Sequence, residues 1–434
     1  MSISPAPRAL SSSPRRTPSV KLMKNETKKL IFRLAALSLS AALVLCACAA
    51  PPAEPPREPS FPPIVDCPPI PEPDPMPEPE PEPVPEPVPE PVPEPEPVDP
   101  LAELVASMTL EEKVGQLFLV RRPAEGSVQD VASYHLGGYV LFYPDVADKT
   151  ADELRSAIES DQAQAKIPLL IAVDEEGGTV TRVSRNPNLR AERFSSPRDL
   201  YALGGIEAPR ADAKEKSELL LSLGFNVNLA PVCDLSDDPA HFIYARAVSG
   251  DATIAAEAVA AMVAEMTTAG LGSVLKHFPG YGGAADTHTG MAYDDRPFES
   301  FEQSDFLPFL AGIEAGAPAV MVSHIIVEHM DPAMPASLSA EVHRILREEL
   351  NFQGVIMTDD LYMDAIGDYC GASEAAVLAI LAGNDVLCCT DYQVQIPAVI
   401  SAVQDGTIPM ELIDEACYRV LQWKQNLGLL KGAE

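Results

Sequence analysis

From residue 109 onward, short runs that are apolar at nearly every position alternate with longer stretches in which apolar residues recur every three or four positions. The short runs fall at 116–120, 139–143, 169–173, 227–232, 273–276, 319–323, 355–358 and 386–389. A strand covered on one face alternates apolar and polar side chains. Runs apolar at successive positions belong to strands buried on both faces, as in a parallel sheet. The intervening stretches at 152–165, 210–223, 253–269, 301–315, 339–350 and 374–382 carry helical periodicity, and 410–427 closes the chain. Thr109 with Glu112 three residues on is a capping-box start for a helix. Strands alternating with helices through roughly 330 residues predict an α/β fold, a (β/α)8 TIM-like barrel forming a single catalytic domain.

A barrel of this kind works through the loops that follow its strands. The polar residues fall at those ends. Asp174 follows the third run, Asp234 the fourth, Lys276 and His277 end the fifth, His324 follows the sixth and Asp359 the seventh. The stretch 276–290 (Lys-His-Phe-Pro-Gly-Tyr-Gly-Gly-Ala-Ala-Asp-Thr-His-Thr-Gly) continues the fifth strand into a glycine-rich loop. Asp286 and His288 sit two apart in it, so the carboxylate can bond one ring nitrogen and leave the other for proton transfer. Read blandly, it is a surface loop with a few polar residues.

Asp359, at the end of a buried strand, is a candidate nucleophile toward an anomeric carbon, with Asp360 as a structural neighbour. Asp174-Glu175-Glu176-Gly177-Gly178 offers carboxylates to sugar hydroxyls, with Arg182 as a clamp. The plainer reading is an acidic loop neutralised by Arg182. His324 to His329 spells neither zinc-protease motif, and neither a phosphate loop nor a serine nucleophile elbow occurs, so no metal or cofactor is expected.

The first hundred positions have a different character. Lys24, Lys28, Lys29 and Arg33 precede an apolar run at 34–45, which reads as a signal peptide. Leu45-Cys46-Ala47-Cys48 resembles a lipobox, with Cys48 as the lipidated residue, so residues 1–48 are assigned to export and anchoring. Residues 49–100 are a Pro/Glu-rich linker. Proline removes the amide donors of regular structure, and an extended chain of this length reaches at most roughly 150 Å at about 3.1 Å per residue. Residues 101–434 form the expected catalytic domain. The expected placement is outside the cell membrane, held to it by the lipid. A net charge of −33 argues against nucleic acid as a partner, though the linker supplies part of it. Cys233, Cys370, Cys388, Cys389 and Cys417 lie in apolar surroundings and read as buried thiols, not a disulfide framework.

Taken in order, Asp174-Glu-Glu-Gly-Gly with Arg182, Ala230-Pro-Val-Cys-Asp234, Lys276-His-Phe-Pro-Gly280 with Asp286-Thr-His288, and Gly354-Val-Ile-Met-Thr-Asp359-Asp-Leu361 resemble the β-N-acetylglucosaminidases of glycoside hydrolase family 3. The resemblance spans about 101–430 and implies the (β/α)8 barrel and a retaining, two-step mechanism. It implies Asp359 as nucleophile, His288 as acid/base paired with Asp286, and Asp174, Arg182, Arg246, Lys276 and His277 as sugar-binding residues. Together with the lipid anchor and spacer, this points to an amino-sugar glycan or muropeptide derived from peptidoglycan as the expected substrate, and a monomer is expected. An imidazole replaces the customary second carboxylate, and its ordinary pKa of about 6.5 suits the task. The chain departs from the family pattern at Tyr281 (usually His), Thr287 (commonly Ser) and Thr179 (often Arg), and Arg246 lies in Tyr-Ala-Arg-Ala-Val where Arg-Ser-Phe is usual. These departures bear on the leaving-group side, and Tyr281 is the expected place of a changed preference. A family 3 β-glucosidase, a phosphorylase and an inactive wall-binding lipoprotein stand as the alternatives.

Overall fold

A computed structural model describes residues 99–430. The signal region, Cys48 and the proline-rich linker up to residue 98 lie outside the described residues.

Eight parallel strands form the centre: β1 Phe118–Arg121, β2 Gly138–Leu141, β3 Leu170–Val173, β4 Val227–Asn228, β5 Gly272–Phe278, β6 Ala319–Val322, β7 Val355–Thr358 and β8 Leu387–Cys389. Their order is β8-β1-β2-β3-β4-β5-β6-β7. Between β7 and β8 the ladder shrinks to a bridge at Met357 and Val386, where the Thr358 amide donates to the Val386 carbonyl (3.1 Å) and the Val386 amide to the Ile356 carbonyl (3.1 Å). The ring is therefore a nearly closed (β/α)8 barrel.

The two-sided apolar runs explain it. Alternate residues point inward: Leu119, Val140, Leu170, Ala172, Val227, Val274, Ala319, Met321, Val355 and Met357 pack on one another inside the ring. Val420 and Trp423 of the closing helix Met410–Asn426 join this inner cluster. The other alternates, such as Phe118, Val120, Tyr139, Ile171 and Val173, face the helices and fill the outer core. Each strand thus buries both faces, and no strand edge on the ring is left without a neighbour.

Several boundaries differ from the periodicity. Gln116 ends the helix Leu110–Gln116 instead of opening β1, because its buried amide donates to the His135 carbonyl (2.8 Å) and its oxygen accepts from Lys424 (2.6 Å). The Thr109–Glu112 capping box forms as the sequence predicts. The run at 227–232 keeps its ladder only over Val227–Asn228, since Pro231 has no amide to donate, and pairing returns at Val232 opposite Lys276. In contrast, β5 runs on to Phe278. The peptide bonds Ala230–Pro231, Lys276–His277 and Phe278–Pro279 are cis. Helix Tyr392–Gln404, with Pro397 inside it, has no counterpart among the periodic stretches, because an internal proline reads as a breaker. Cys233, Cys388 and Cys417 are buried, whereas Cys370 is only half-buried.

Candidate active site

The strand ends converge on one cleft of about 350 Å³. Arg121 ends β1, Phe142 follows β2, Asp174 follows β3, Leu229 follows β4, Lys276 and His277 lie in β5, Met321 in β6, Asp359 follows β7 and Cys388 lies in β8. Arg182, Arg246 and His288 enter from the loops. The volume falls in the range of small-molecule sites. Arg121, Arg182, Arg246 and Lys276 formally balance Asp174, Glu176, Asp359 and Asp360, so the large negative charge of the chain is not expressed in the cleft.

Its floor is a charge network built around Glu176. Arg246 donates through Nε to Glu176 Oε2 (2.9 Å) and through Nη2 to Oε1 (2.8 Å). Lys276 Nζ sits 2.8 Å from the same Oε1 and donates to Asp174 Oδ1 at 2.7 Å. Burial works against the Glu176 carboxylate, but Arg246 and Lys276 outweigh it and hold the group far below the ordinary range. Burial likewise opposes the Lys276 ammonium, and Asp174 and Glu176 reverse that, raising its pKa. Arg182 lies 3.8 Å from Asp174, and with Arg121 it flanks the Phe142 ring, at 5.8 and 4.8 Å.

The acidic loop therefore splits by role. Glu175 is buried and accepts the amides of Arg182 (2.8 Å) and Val183 (2.7 Å) and the Ser184 hydroxyl, so it shapes the loop instead of meeting ligand. Glu176 is spent on the two cations. Asp174 alone of the three carboxylates lies at the cleft without being enclosed. This corrects the reading in which Arg182 neutralises the whole loop. Arg246, despite its divergent local sequence, lies on the cleft floor.

His277 is fixed from both sides. Its Nδ1 donates to Asp234 Oδ2 (2.7 Å) and its Nε2 accepts from Arg246 Nη2 (3.1 Å). Asp234, placed by the sequence at a strand end, is buried behind the cleft and holds His277 in this orientation. His324 is also buried outside the cleft. Its Nε2 donates to the Asp360 carbonyl (3.0 Å) while its Nδ1 accepts from the Ser337 hydroxyl (2.7 Å), and burial depresses its pKa.

Asp359 opens toward the cleft from a rigid turn. Its amide donates to the Val322 carbonyl (3.0 Å), and its Oδ1 accepts the Asp360 amide (2.8 Å). Burial would raise its pKa. The imidazoles of His277 and His324, that amide and His288 overcome the effect and hold it below the ordinary carboxylate value. A group that stays ionised is suited to nucleophilic attack or to facing a developing positive charge. The Asp360 carboxylate accepts the Tyr362 amide (2.9 Å) and the Thr390 hydroxyl (2.8 Å), and burial raises its pKa.

His288 reaches the cleft from the loop after β5. Its Nδ1 pairs with Asp286 Oδ1 (2.8 Å), which leaves Nε2 for another partner, and its side chain is 59% exposed. Asp286 stands behind it and does not line the cleft. Tyr281 is not a cleft residue either: it is 1% exposed and packed beneath the loop. Any effect of Tyr281 on substrate preference is therefore indirect. Sequence reasoning missed the cleft residues Arg121, Phe142, Tyr362 and Thr390. Arg121 and Phe142 do stand at or beside strand ends, a signal that was available. Tyr362 had none. Among the described residues, no three His, Cys, Asp or Glu side chains are grouped so as to hold a metal ion.

The fold and cleft have counterparts. A model of the glycosyl hydrolase family 3 N-terminal domain matches residues 109–423. A β-hexosaminidase of Xanthomonas campestris pv. campestris is 36% identical over 257 residues, 58% of this chain and 76% of that protein. A glycoside hydrolase family 3 β-N-acetylglucosaminidase from Paenibacillus sp. str. FPU-7 superposes with a TM-score of 0.71 at 31% identity, covering 76% of this chain and 64% of that one. A β-N-acetylhexosaminidase from Beutenbergia cavernae gives a TM-score of 0.67 at 30% identity, over 74% of this chain and 99% of that one. The chain thus spans almost the whole Beutenbergia protein and a little under two thirds of the Paenibacillus one. With the family model covering nearly the entire barrel, the chain belongs to glycosyl hydrolase family 3.

Proposed function

We propose that this protein is an exo-acting, retaining β-N-acetylglucosaminidase that removes terminal β-linked N-acetylglucosamine. The observation that carries the reading is the presence, in one cleft, of the ionised carboxylate of Asp359 and of His288, one ring nitrogen of which is taken by Asp286. The activities named for the Xanthomonas, Paenibacillus and Beutenbergia relatives support the same reaction.

Asp174, Lys276, Arg182, Arg246 and His277 would hold the sugar through charge-assisted hydrogen bonds. In the first step an Asp359 carboxylate oxygen bonds to the anomeric carbon as the glycosidic carbon–oxygen bond breaks, and the proton on His288 Nε2 passes to the departing oxygen. In the second step water gives its oxygen to the anomeric carbon and a proton to His288, and the Asp359–sugar bond breaks. Two displacements at one carbon retain the β configuration. Asp286 keeps the imidazole in the tautomer that both steps need.

The test is release of the aryl group from an aryl β-N-acetylglucosaminide. Asp359→Asn should abolish turnover, and His288→Ala should slow poor leaving groups most. An inactive wild type, or full activity in Asp359→Asn, sinks the reading.

We propose further that the substrate is peptidoglycan-derived and that the enzyme is exported and tethered through Cys48. The basic and apolar N-terminal segments, the Leu-Cys-Ala-Cys motif and the extended Pro/Glu spacer support this. Fatty-acid labelling that persists in Cys48→Ala would refute the tether. Mass spectrometry of digested peptidoglycan showing no released N-acetylglucosamine would refute the substrate.

A further inference from the structure

The loop that carries the Asp286–His288 pair is tied down outside the cleft. Thr287 stands between the two and faces the other way, its side chain fully buried. Its hydroxyl meets the Tyr281 phenol oxygen at 2.6 Å. Tyr281 is itself held firmly. Asp234 Oδ1 accepts its amide (2.8 Å), and its ring packs edge-on against Phe242 and His277, with centroids at 5.0 and 5.1 Å. The other oxygen of Asp234 holds His277. One buried carboxylate therefore secures both a residue of the cleft floor and the residue that grips the loop.

Elsewhere in the loop, Gly280 and Gly282 have φ values of +116° and +52° and lie close against Asp305 and Arg296, whereas Gly283 has open space around it. His241 Nε2 bonds the Ala284 carbonyl (2.8 Å), upstream of the pair. The hydrogen bonds of Asp286 to the His288 amide and ring are internal to the turn and move with it. Tyr281 and Thr287 are also two of the positions at which this sequence departs from the usual family residues, and the fold brings them into contact.

We propose that the Tyr281–Thr287 hydrogen bond is a latch that positions the His288–Asp286 pair over the cleft, so that both are positioning residues for proton transfer. The proposal rests on the reading of His288 as the proton donor. Thr287 is bonded to both members of the pair, so letting its side chain go displaces His288 Nε2 directly. Misplacement by about 1 Å can cost on the order of a hundredfold in rate. The phenol retains its proton for the bond, because burial and then the Asp359 charge raise its pKa well above the ordinary value.

Tyr281→Phe and Thr287→Val each remove one hydroxyl and keep the packing volume, whereas Thr287→Ser keeps the hydroxyl. The readout is kcat/KM for phenyl and for 2,4-dinitrophenyl β-N-acetylglucosaminides, since only the phenyl group needs a proton to leave. The first two variants should lose about tenfold or more on the phenyl substrate and less than about threefold on the dinitrophenyl one, with Thr287→Ser within about twofold of wild type on both. Equal losses on both substrates, or no loss on the phenyl one, overturn the latch. Should one variant fail to fold, the other still decides. If His288→Ala is steeply dependent on the leaving group and Tyr281→Phe is not, the latch falls and the acid/base assignment stands. A wild type inactive on the dinitrophenyl substrate removes the enzymatic reading and the latch with it.

Discussion

Glu176 is the keystone of the cleft floor, and Glu176→Gln measures it. Oε1 receives both Arg246 Nη2 and Lys276 Nζ at 2.8 Å, and Oε2 receives Arg246 Nε at 2.9 Å. The amide that replaces the carboxylate has one acceptor and one donor end, so whichever way it turns, an NH2 group faces an N–H. The charge is lost as well. Each ion pair at 2.8 Å is worth about 6 kcal/mol at an effective dielectric constant of ~20, against several kcal/mol for desolvating each ion. Removing one partner of such a network costs about 3–5 kcal/mol, mostly because the remaining charges lose their compensation. For a domain of roughly 330 residues the entropy of unfolding is about 0.7 kcal/mol/K, so the expected drop in Tm is about 4–7 °C.

The pH dependence supplies an independent check. The folded-state pKa of Glu176 is depressed, so its contribution is fully present above the unfolded value of about 4.3 and is lost as the pH falls toward the folded value. The Tm difference between wild type and Glu176→Gln should stay constant from about pH 5 to 8 and narrow below about pH 4. Differential scanning calorimetry at fixed scan rate across that range is the assay. A shift under about 1 °C at pH 7, or a gap that widens on acidification, refutes the account of Glu176 as a net-favourable buried anion.

Lys424 is fully buried, donates to Gln116 Oε1 (2.6 Å), and is pushed down to about 7 by burial, with Cys417 opposing slightly. Between about pH 7 and 10.4 the unfolded chain binds a proton that the folded one refuses, so wild-type stability should rise across that window, and Lys424→Met should lose that rise; identical slopes in the two proteins would contradict it. Tyr362 is 68% exposed, lines the cleft beside Asp360, and has its amide pinned at 2.9 Å by the Asp360 carboxylate. An exposed aromatic face at the cleft mouth suits stacking on a ring in the leaving group, so Tyr362→Ala should raise KM about fivefold for disaccharides and leave a methyl glycoside unaffected. Equal KM changes for both would remove that role.

The sequence alone determined the architecture, because the relevant forces are local. A run such as Val355-Ile-Met-Thr358 can bury both faces only between two neighbouring strands, and eight such runs separated by helices close into a ring. Asp359 was legible as a site residue because it directly follows one of them. The Asp286–His288 pair was legible because its partners are two residues apart.

What tertiary structure decided is pairing over distance. Glu176 meets Arg246 from 70 residues away, and Asp174 meets Lys276 from 102 residues away. Nothing in an acidic loop says which of three adjacent carboxylates will be consumed by backbone amides, which by cations and which will face the ligand. Strand closure sets those distances, and desolvation then selects the partners. Tyr281 shows the same limit. Its place in the motif did not say on which side of the loop it lies; one face of a loop must pack on the barrel, and the aromatic ring went under while the imidazole and its carboxylate stayed above.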